Sequence, residues 1–288
     1  MSSPPDAGGP GAGTVRWRLR LAYDGTEFHG FADNDGTRTV AGTLSEALAR
    51  VVRSPVALTC AGRTDAGVHA LDQVVHFDLP AEASDRLEPA ALLRSCNSQL
   101  APAIVVREAQ VAEPGFDARR SARSRCYRYL VVNAPVADPL LAHLAWHVSD
   151  PLDLRAMAAG ADALIGEHDF RAFCRRPAGT APDVPLVRRV MDTRWWRLSD
   201  SARPVSGATN DPGIAPPLTP AVGDLLSFEI KANAFCHRMV RSMVGTLVDV
   251  GRGRRRASDV VWILRSCDRS QASQPAPPHG LALVGVHY

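Results

Sequence analysis

Hydrophobic and polar residues alternate strictly over Val15–Tyr23. Val15, Trp17, Leu19, Leu21 and Tyr23 point one way and Arg16, Arg18 and Arg20 the other, which predicts a half-buried strand with a cationic face. The period then changes. Thr43-Leu44-Ser45-Glu46 reads as a capping box, with Thr43 as N-cap and Glu46 three residues on. Leu44, Ala47, Leu48, Val51 and Val52 follow on one helical face. Short apolar runs predict strands at Val56–Cys60 and Gln73–Leu79, a second helix at Pro89–Leu100 and a fourth strand at Ile104–Val111. The order β-α-β-β-α-β is the ferredoxin-like arrangement, an antiparallel sheet with two helices on one face.

The second half repeats the theme loosely. Strands are expected at Cys126–Val132, Leu144–Val148, Arg188–Leu198, Leu225–Lys231 and Leu281–His287. Helices are expected at Leu152–Ile165, with Asp150 as cap and Pro151 in its first turn, at Cys236–Val250 and at Ser258–Ser266. The fold class is therefore α+β, in two halves. Residues 1–13 are Pro/Gly-rich and read as a disordered tail. Residues 14–112 form an N-terminal ferredoxin-like domain and residues 113–288 a C-terminal α/β domain, joined around Val111–Ala118. Residues 199–223 are rich in Ser, Pro, Gly and Thr and read as a flexible surface insert.

Composition narrows the function classes. The 288 residues are 45% hydrophobic and 22% charged, as in an ordinary globular chain. Apolar runs stop well short of the ~18 residues a membrane helix needs, and no cationic start or apolar segment suggests a secretory signal. Six cysteines without a C-x-x-C spacing are expected to be reduced, mostly buried thiols of a cytoplasmic protein. The net charge of +3 names no partner. Its distribution says more: Lys231 is the only lysine, so 32 of the 33 basic residues are arginine. Arginine forks onto phosphate and stacks on bases.

Three segments could carry chemistry. Ala61-Gly62-Arg63-Thr64-Asp65-Ala66-Gly67-Val68-His69-Ala70 lies between two predicted strands, where rigid elements hold a loop. A carboxylate two residues from a guanidinium stays ionised. Asp65 could be a nucleophile, a base or a metal ligand, or simply one half of a local Arg–Asp pair in a turn. Phe116–Tyr129 places Arg119, Arg120, Arg123, Arg125 and Arg128 against one acid, Asp117, with Tyr127 and Tyr129 interleaved. That composition suits phosphates and unpaired bases, and equally a solvated strand edge with a core tyrosine. In Phe235–Arg252, Met239, Met243, Leu247 and Val250 read as core, while His237, Arg238 and Arg241 on the first helical turns would make a local anion site. The run Arg252–Arg256 fits a phosphate contact or a solvated loop. Nucleotide-loop, zincin and serine-hydrolase motifs are absent. His143 and His147 have metal-like spacing, but on a strand residues four apart stand about 13 Å distant, so no metal is expected.

Together these segments resemble the TruA family of tRNA pseudouridine synthases. The resemblance rests on YDGTEFHGF, CAGRTDAGVHALDQVVHF, FDARRSARSRCYRYLVVN, FCHRMVRSMVGTLVDVGRG and GLALVGVHY, in family order and spanning nearly the whole chain. It implies an isomerase that converts uridine to pseudouridine at positions 38, 39 and 40 of the tRNA anticodon stem-loop. It implies Asp65 as catalytic aspartate (nucleophile or base), Arg241 as its basic partner, Tyr127 as the ring packing on the target uracil, and Arg63 as an aid to base flipping. It implies two ferredoxin-like halves around a central cleft, a homodimer holding tRNA, a cytoplasmic location, and neither cofactor nor membrane. The reaction breaks C1′–N1, turns the uracil and forms C1′–C5 without loss of atoms or redox change, which agrees with the missing cofactor motifs. The alternative is a catalytically silent tRNA-binding or RNA-chaperone protein. One departure stands out: where the family often has Gly-Trp-Gln-x-Gln, this chain has Gly30-Phe31-Ala32-Asp33-Asn34.

Overall fold

The computed structural model describes residues 13–288 apart from 35, 177, 178, 180, 182 and 202–222. The chain forms two compact units, one of residues up to Arg123 plus Leu283–Tyr288, the other Ser124–Ala282. Residues 1–12 of the expected tail and 202–222 of the expected insert lie outside the described residues; the first three residues of the insert belong to a short 3-10 turn, Leu198–Ser201.

In the first unit, β1 (Thr14–Tyr23) leads to α1 (Val40–Val52), β2 (Thr59–Cys60), β3 (His69–Pro80), α2 (Ala81–Ser84), α3 (Pro89–Leu100) and β4 (Ile104–Val111). The sheet order β4-β1-β3-β2 is antiparallel throughout, as the ferredoxin-like arrangement requires. Trp17, Leu19, Leu21 and Tyr23 all face inward and are buried. Burying a leucine such as Leu44 or Leu48 of α1 is worth ~2–5 kcal/mol against truncation to alanine. The cationic side of β1 is less open than its pattern suggests. Arg16 is 5% exposed, forks onto Asp78 of β3 at 2.7 and 2.8 Å and donates to the Phe116 carbonyl. Arg20 forks likewise onto Asp72.

Helix α1 starts earlier than the capping box predicts. Thr39 is the N-cap, and its hydroxyl accepts from the Gly42 N–H at 3.1 Å. Thr43 lies inside the helix, because Val40 and Ala41 are already buried and extend the apolar face backwards. Strand β2 keeps two residues of the five expected. Asn97 of α3 grips both backbone groups of Val106 in β4, next to the register slip of β1 at Arg20/Leu21.

In the second unit, β5 (Ser124–Asn133) is followed by β6 (Trp146–Val148), α4 (Leu154–Asp162), β7 (Gly166–Asp169), β8 (Val187–Arg197), β9 (Asp224–Ala232), α5 (Met239–Gly251) and α6 (Asp259–Ser266). β10 (Leu281–His287), which belongs to the first unit from Leu283 on, closes the chain. The order β5-β9-β8-β7 is antiparallel, but β6 joins β5 in parallel, so this sheet is mixed rather than purely antiparallel. Helices α4, α5 and α6 approach closely at Gly160, where a Cβ would lie 3.1 Å from Leu247 and 3.3 Å from Val260. Asp153, not Asp150, caps α4, accepting from Arg155 and Ala156 N–H. Cys174 and Cys236 are joined by a disulfide, their Cα atoms 5.8 Å apart, which corrects the expectation of six reduced thiols. Cys60, Cys96, Cys126 and Cys267 remain thiols.

Candidate active site

The first unit builds the loop between β2 and β3. Val68 N–H donates to the Asp65 carbonyl, and Gly67, at the third position of that turn, has φ +74. A residue with φ above zero there is what a type II turn demands. The segment Gly25–Phe31 brackets the loop with backbone bonds: Phe31 N–H to the Thr64 carbonyl and Gly67 N–H to the Phe28 carbonyl. Gly25 allows the closest approach, since a Cβ there would sit 2.0 Å from the Val68 carbonyl oxygen. His69 Nδ1 lies 3.0 Å from the Gly25 N–H and 3.1 Å from Asp24 Oδ1. One ring nitrogen cannot both accept and donate, and the amide has only a proton to offer, so Nδ1 accepts. Asp24 meanwhile accepts from Thr26.

Along the extended stretch before the turn, exposure alternates: Arg63 is exposed, Thr64 buried and Asp65 half-buried. Arg63 and Asp65 thus leave the sheet on the side opposite Thr64. Burial pushes the nearby Cys60 thiol up to about 11, with Arg63 and Arg119 acting the other way. Phe31 is buried against Tyr23, their rings 6.3 Å apart, and Asp33 Oδ1 accepts from the Thr39 hydroxyl at the start of α1.

The second unit carries the other two candidates. Tyr127 lies on β5, 7% exposed, its ring edge-on to Phe235 at 5.0 Å. Arg241 lies in the first turn of α5, where its Nε donates to the Ala276 carbonyl at 2.8 Å and its own carbonyl accepts from Ala276 N–H. The turn before α5 puts Arg238 at φ +62 as the N-cap, and the His237 carbonyl accepts from Arg175 N–H. Arg63 and Asp65 therefore belong to one unit, and Tyr127 and Arg241 to the other.

The arginine-rich segment divides its labour. Arg119, Arg120 and Arg123 are exposed. Arg125 is buried and donates to the Asn233 carbonyl. Arg128 pairs with Glu229 at 2.9 Å and lies over the Trp196 ring. Arg125 and Arg128 are thus engaged inside the fold. Arg252 pairs with Asp150 at 2.8 Å, and Arg255 donates to Ser273, so the basic run after α5 also anchors its own surroundings. Tyr23, Thr64 and Gln73 form a buried polar group behind the Asp65 loop that sequence reasoning missed; a glutamine in the otherwise apolar run of β3 was the signal. Among the described residues no group of three or more His, Cys, Asp or Glu side chains could hold a metal ion, and no helix is long and apolar enough to cross a membrane.

A ferredoxin-like unit presenting an arginine and an aspartate from a glycine-bracketed loop fits the class of tRNA pseudouridine synthases, and the sequence profile of a family so described matches residues 161–288. The chain is 44% identical over 280 residues to tRNA pseudouridine synthase A of Frankia casuarinae, covering 96% of this chain and 90% of the relative. It is 40% identical to the protein of the same name from Corynebacterium glutamicum, over 95% of this chain and 89% of the relative. For that of Coxiella burnetii the figures are 37%, 95% and 93%. The chain belongs to the tRNA pseudouridine synthase A family, isomerases that convert uridine to pseudouridine in tRNA.

Proposed function

We propose that this protein isomerises uridine to pseudouridine at positions 38, 39 and 40 of the tRNA anticodon stem-loop, with Asp65 as the catalytic carboxylate. The observation that carries this reading is the Asp65 loop: a turn fixed by Gly67, clamped by two backbone bonds to Gly25–Phe31, with Arg63 and Asp65 on its outer side. Such clamping gives the preorganisation that a reacting carboxylate needs.

The chemistry assigns roles to the remaining residues. A paired base is out of reach, so the uridine must leave the stack. Arg63, exposed beside Asp65, would help hold the flipped nucleotide, and the Tyr127 ring would pack on the uracil. Arg241 would aim Asp65. Asp65 then adds to the sugar or to the uracil, or takes the ribose 2′ proton; each route separates C1′ from N1 and lets C5 return to C1′. The exposed Arg119, Arg120 and Arg123 suit phosphate contacts whose strength falls as salt rises. In this reading the enzyme works in the cytoplasm as a homodimer on tRNA, with no cofactor taking part.

The test uses unmodified tRNA transcripts carrying uridine at 38, 39 and 40 and at other loop positions. After incubation with the purified protein, carbodiimide labelling and primer extension map pseudouridine. Stops at the three anticodon-arm positions are expected; stops confined to other uridines would overturn the positional reading.

A further inference from the structure

We propose that Thr64, held by Tyr23, is a positioning residue that sets where Asp65 stands. The proposal rests on the reading of Asp65 as the catalytic carboxylate. Thr64 lies between the two outward residues of the loop, and its own side chain points the opposite way, 7% exposed. Its hydroxyl sits 2.8 Å from the Tyr23 hydroxyl. Tyr23 ends β1 and is 4% exposed. The side-chain amide of Gln73, in β3 and fully buried, donates to the Gly62 carbonyl at 2.7 Å and reaches the Tyr23 oxygen at 3.5 Å. An amide nitrogen can only donate, so the Tyr23 oxygen accepts from Gln73 and the phenol proton is available to the threonine oxygen. Burial also pushes the Tyr23 phenol up, so it remains a donor across the working range.

The network grips the loop on both sides of Arg63: Gly62 by its carbonyl and Thr64 by its side chain. The Thr64 carbonyl is taken as well, by Phe31 N–H at 3.1 Å, and Gly30, at φ +100, lets that approach occur. The Gly62 carbonyl and both the hydroxyl and the carbonyl of Thr64 are therefore bound to a strand or to the bracket before α1. Burying a phenol, a hydroxyl and a carboxamide costs desolvation that phenylalanine, valine and leucine would avoid. Apolar replacements would fill the same space but leave the rotation of the loop about its own axis undefined. A carboxylate displaced by about 1 Å loses on the order of a hundredfold in rate.

The experiment compares Tyr23→Phe, Thr64→Val, Thr64→Ser and the double variant Tyr23→Phe/Thr64→Val in single-turnover pseudouridine formation, tRNA binding and thermal unfolding. Tyr23→Phe and Thr64→Val are each expected to lower the catalytic rate at least about tenfold while tRNA affinity stays near wild type. The double variant should be no worse than the poorer single, since both break one link. Thr64→Ser keeps the hydroxyl and should recover most of the rate. Should Thr64→Val fail to fold, Tyr23→Phe, which removes one oxygen, decides alone. Wild-type rates in a folded Tyr23→Phe, or equal losses in Thr64→Ser and Thr64→Val, would overturn the proposal. Asp65→Asn run alongside separates the two readings: if it turns over normally the catalytic assignment fails, and if it is dead while Tyr23→Phe is unimpaired only the positioning role fails.

Discussion

At Gly67 a single dihedral governs the loop. Its φ of +74 lets the chain turn from Asp65 back into β3. An alanine there is strained by an amount of order 1–3 kcal/mol wherever it goes. Gly67→Ala should therefore cut the pseudouridylation rate while shifting the unfolding midpoint only modestly. Gly36→Ala is the matched control, because Gly36 also has positive φ but a Cβ there meets nothing within 4 Å. Equal rates in the two variants would remove the turn from the mechanism. Much of this scale was legible in the sequence. Arg63, Asp65 and the two glycines stood out as a unit, since glycine and paired charge are readable one letter at a time. The partners behind them were not. Thr64 and Tyr23 meet across 41 positions, and Gly25 faces Val68 only because two loops cross, neither of which leaves a local pattern.

Among the elements, β3 carries a pH-sensitive joint. His76 is buried, and its Nδ1 accepts from Ala118 N–H at 2.9 Å, an arrangement open only to the neutral ring. Burial lowers its pKa below 6.5, and Arg16 adds to this, against the opposing pull of Asp117 and Asp78. The unfolded ring protonates first, so the stabilisation is complete above about pH 6.5 and fades as pH falls from there toward the folded value. Asp117 adds a second, more acidic arm. Burial opposes its ionisation, but N–H bonds from Arg120 and Arg119, with His76 and Arg16, outweigh that and hold its carboxyl below the ordinary value. Its contribution is present above about pH 4 and is lost below it. Urea midpoints measured from pH 7 to 5 should fall in the wild type and flatten in His76→Gln; an unchanged slope would assign the effect elsewhere. The element scale also shows where periodicity reads well and where it stops. β1, α3, β4 and β10 follow from alternation or helical spacing because one face of each is packed. β2, β6 and β7 are four residues or fewer, too short to display a period, and exist through their pairing partners. The start of helix α1 is ambiguous in the sequence because two threonines compete for the cap, and only the burial of Val40 and Ala41 decides for Thr39.

For the molecule as a whole, the modest net charge conceals a division among arginines. Arg16, Arg20, Arg125 and Arg128 are spent on carboxylates and carbonyls of the fold, while Arg119, Arg120 and Arg123 face outward. Composition could count them but could not tell these uses apart, since strand register decides which arginine meets an acid. Alternation predicted an open cationic face on β1, yet Asp78 and Asp72 on β3 stand where they can close it. The proposed mechanism places the rate of this isomerase on one carboxylate. The most direct test incubates wild-type protein and Asp65→Asn with tRNA tritiated at uridine C5, because forming the C1′–C5 bond displaces that tritium. The wild type is expected to release it to water, and Asp65→Asn to fold and bind tRNA with release lowered by at least about a thousandfold. Release by Asp65→Asn at the wild-type rate, or tRNA binding by the wild type with no release from any tRNA, would contradict the account.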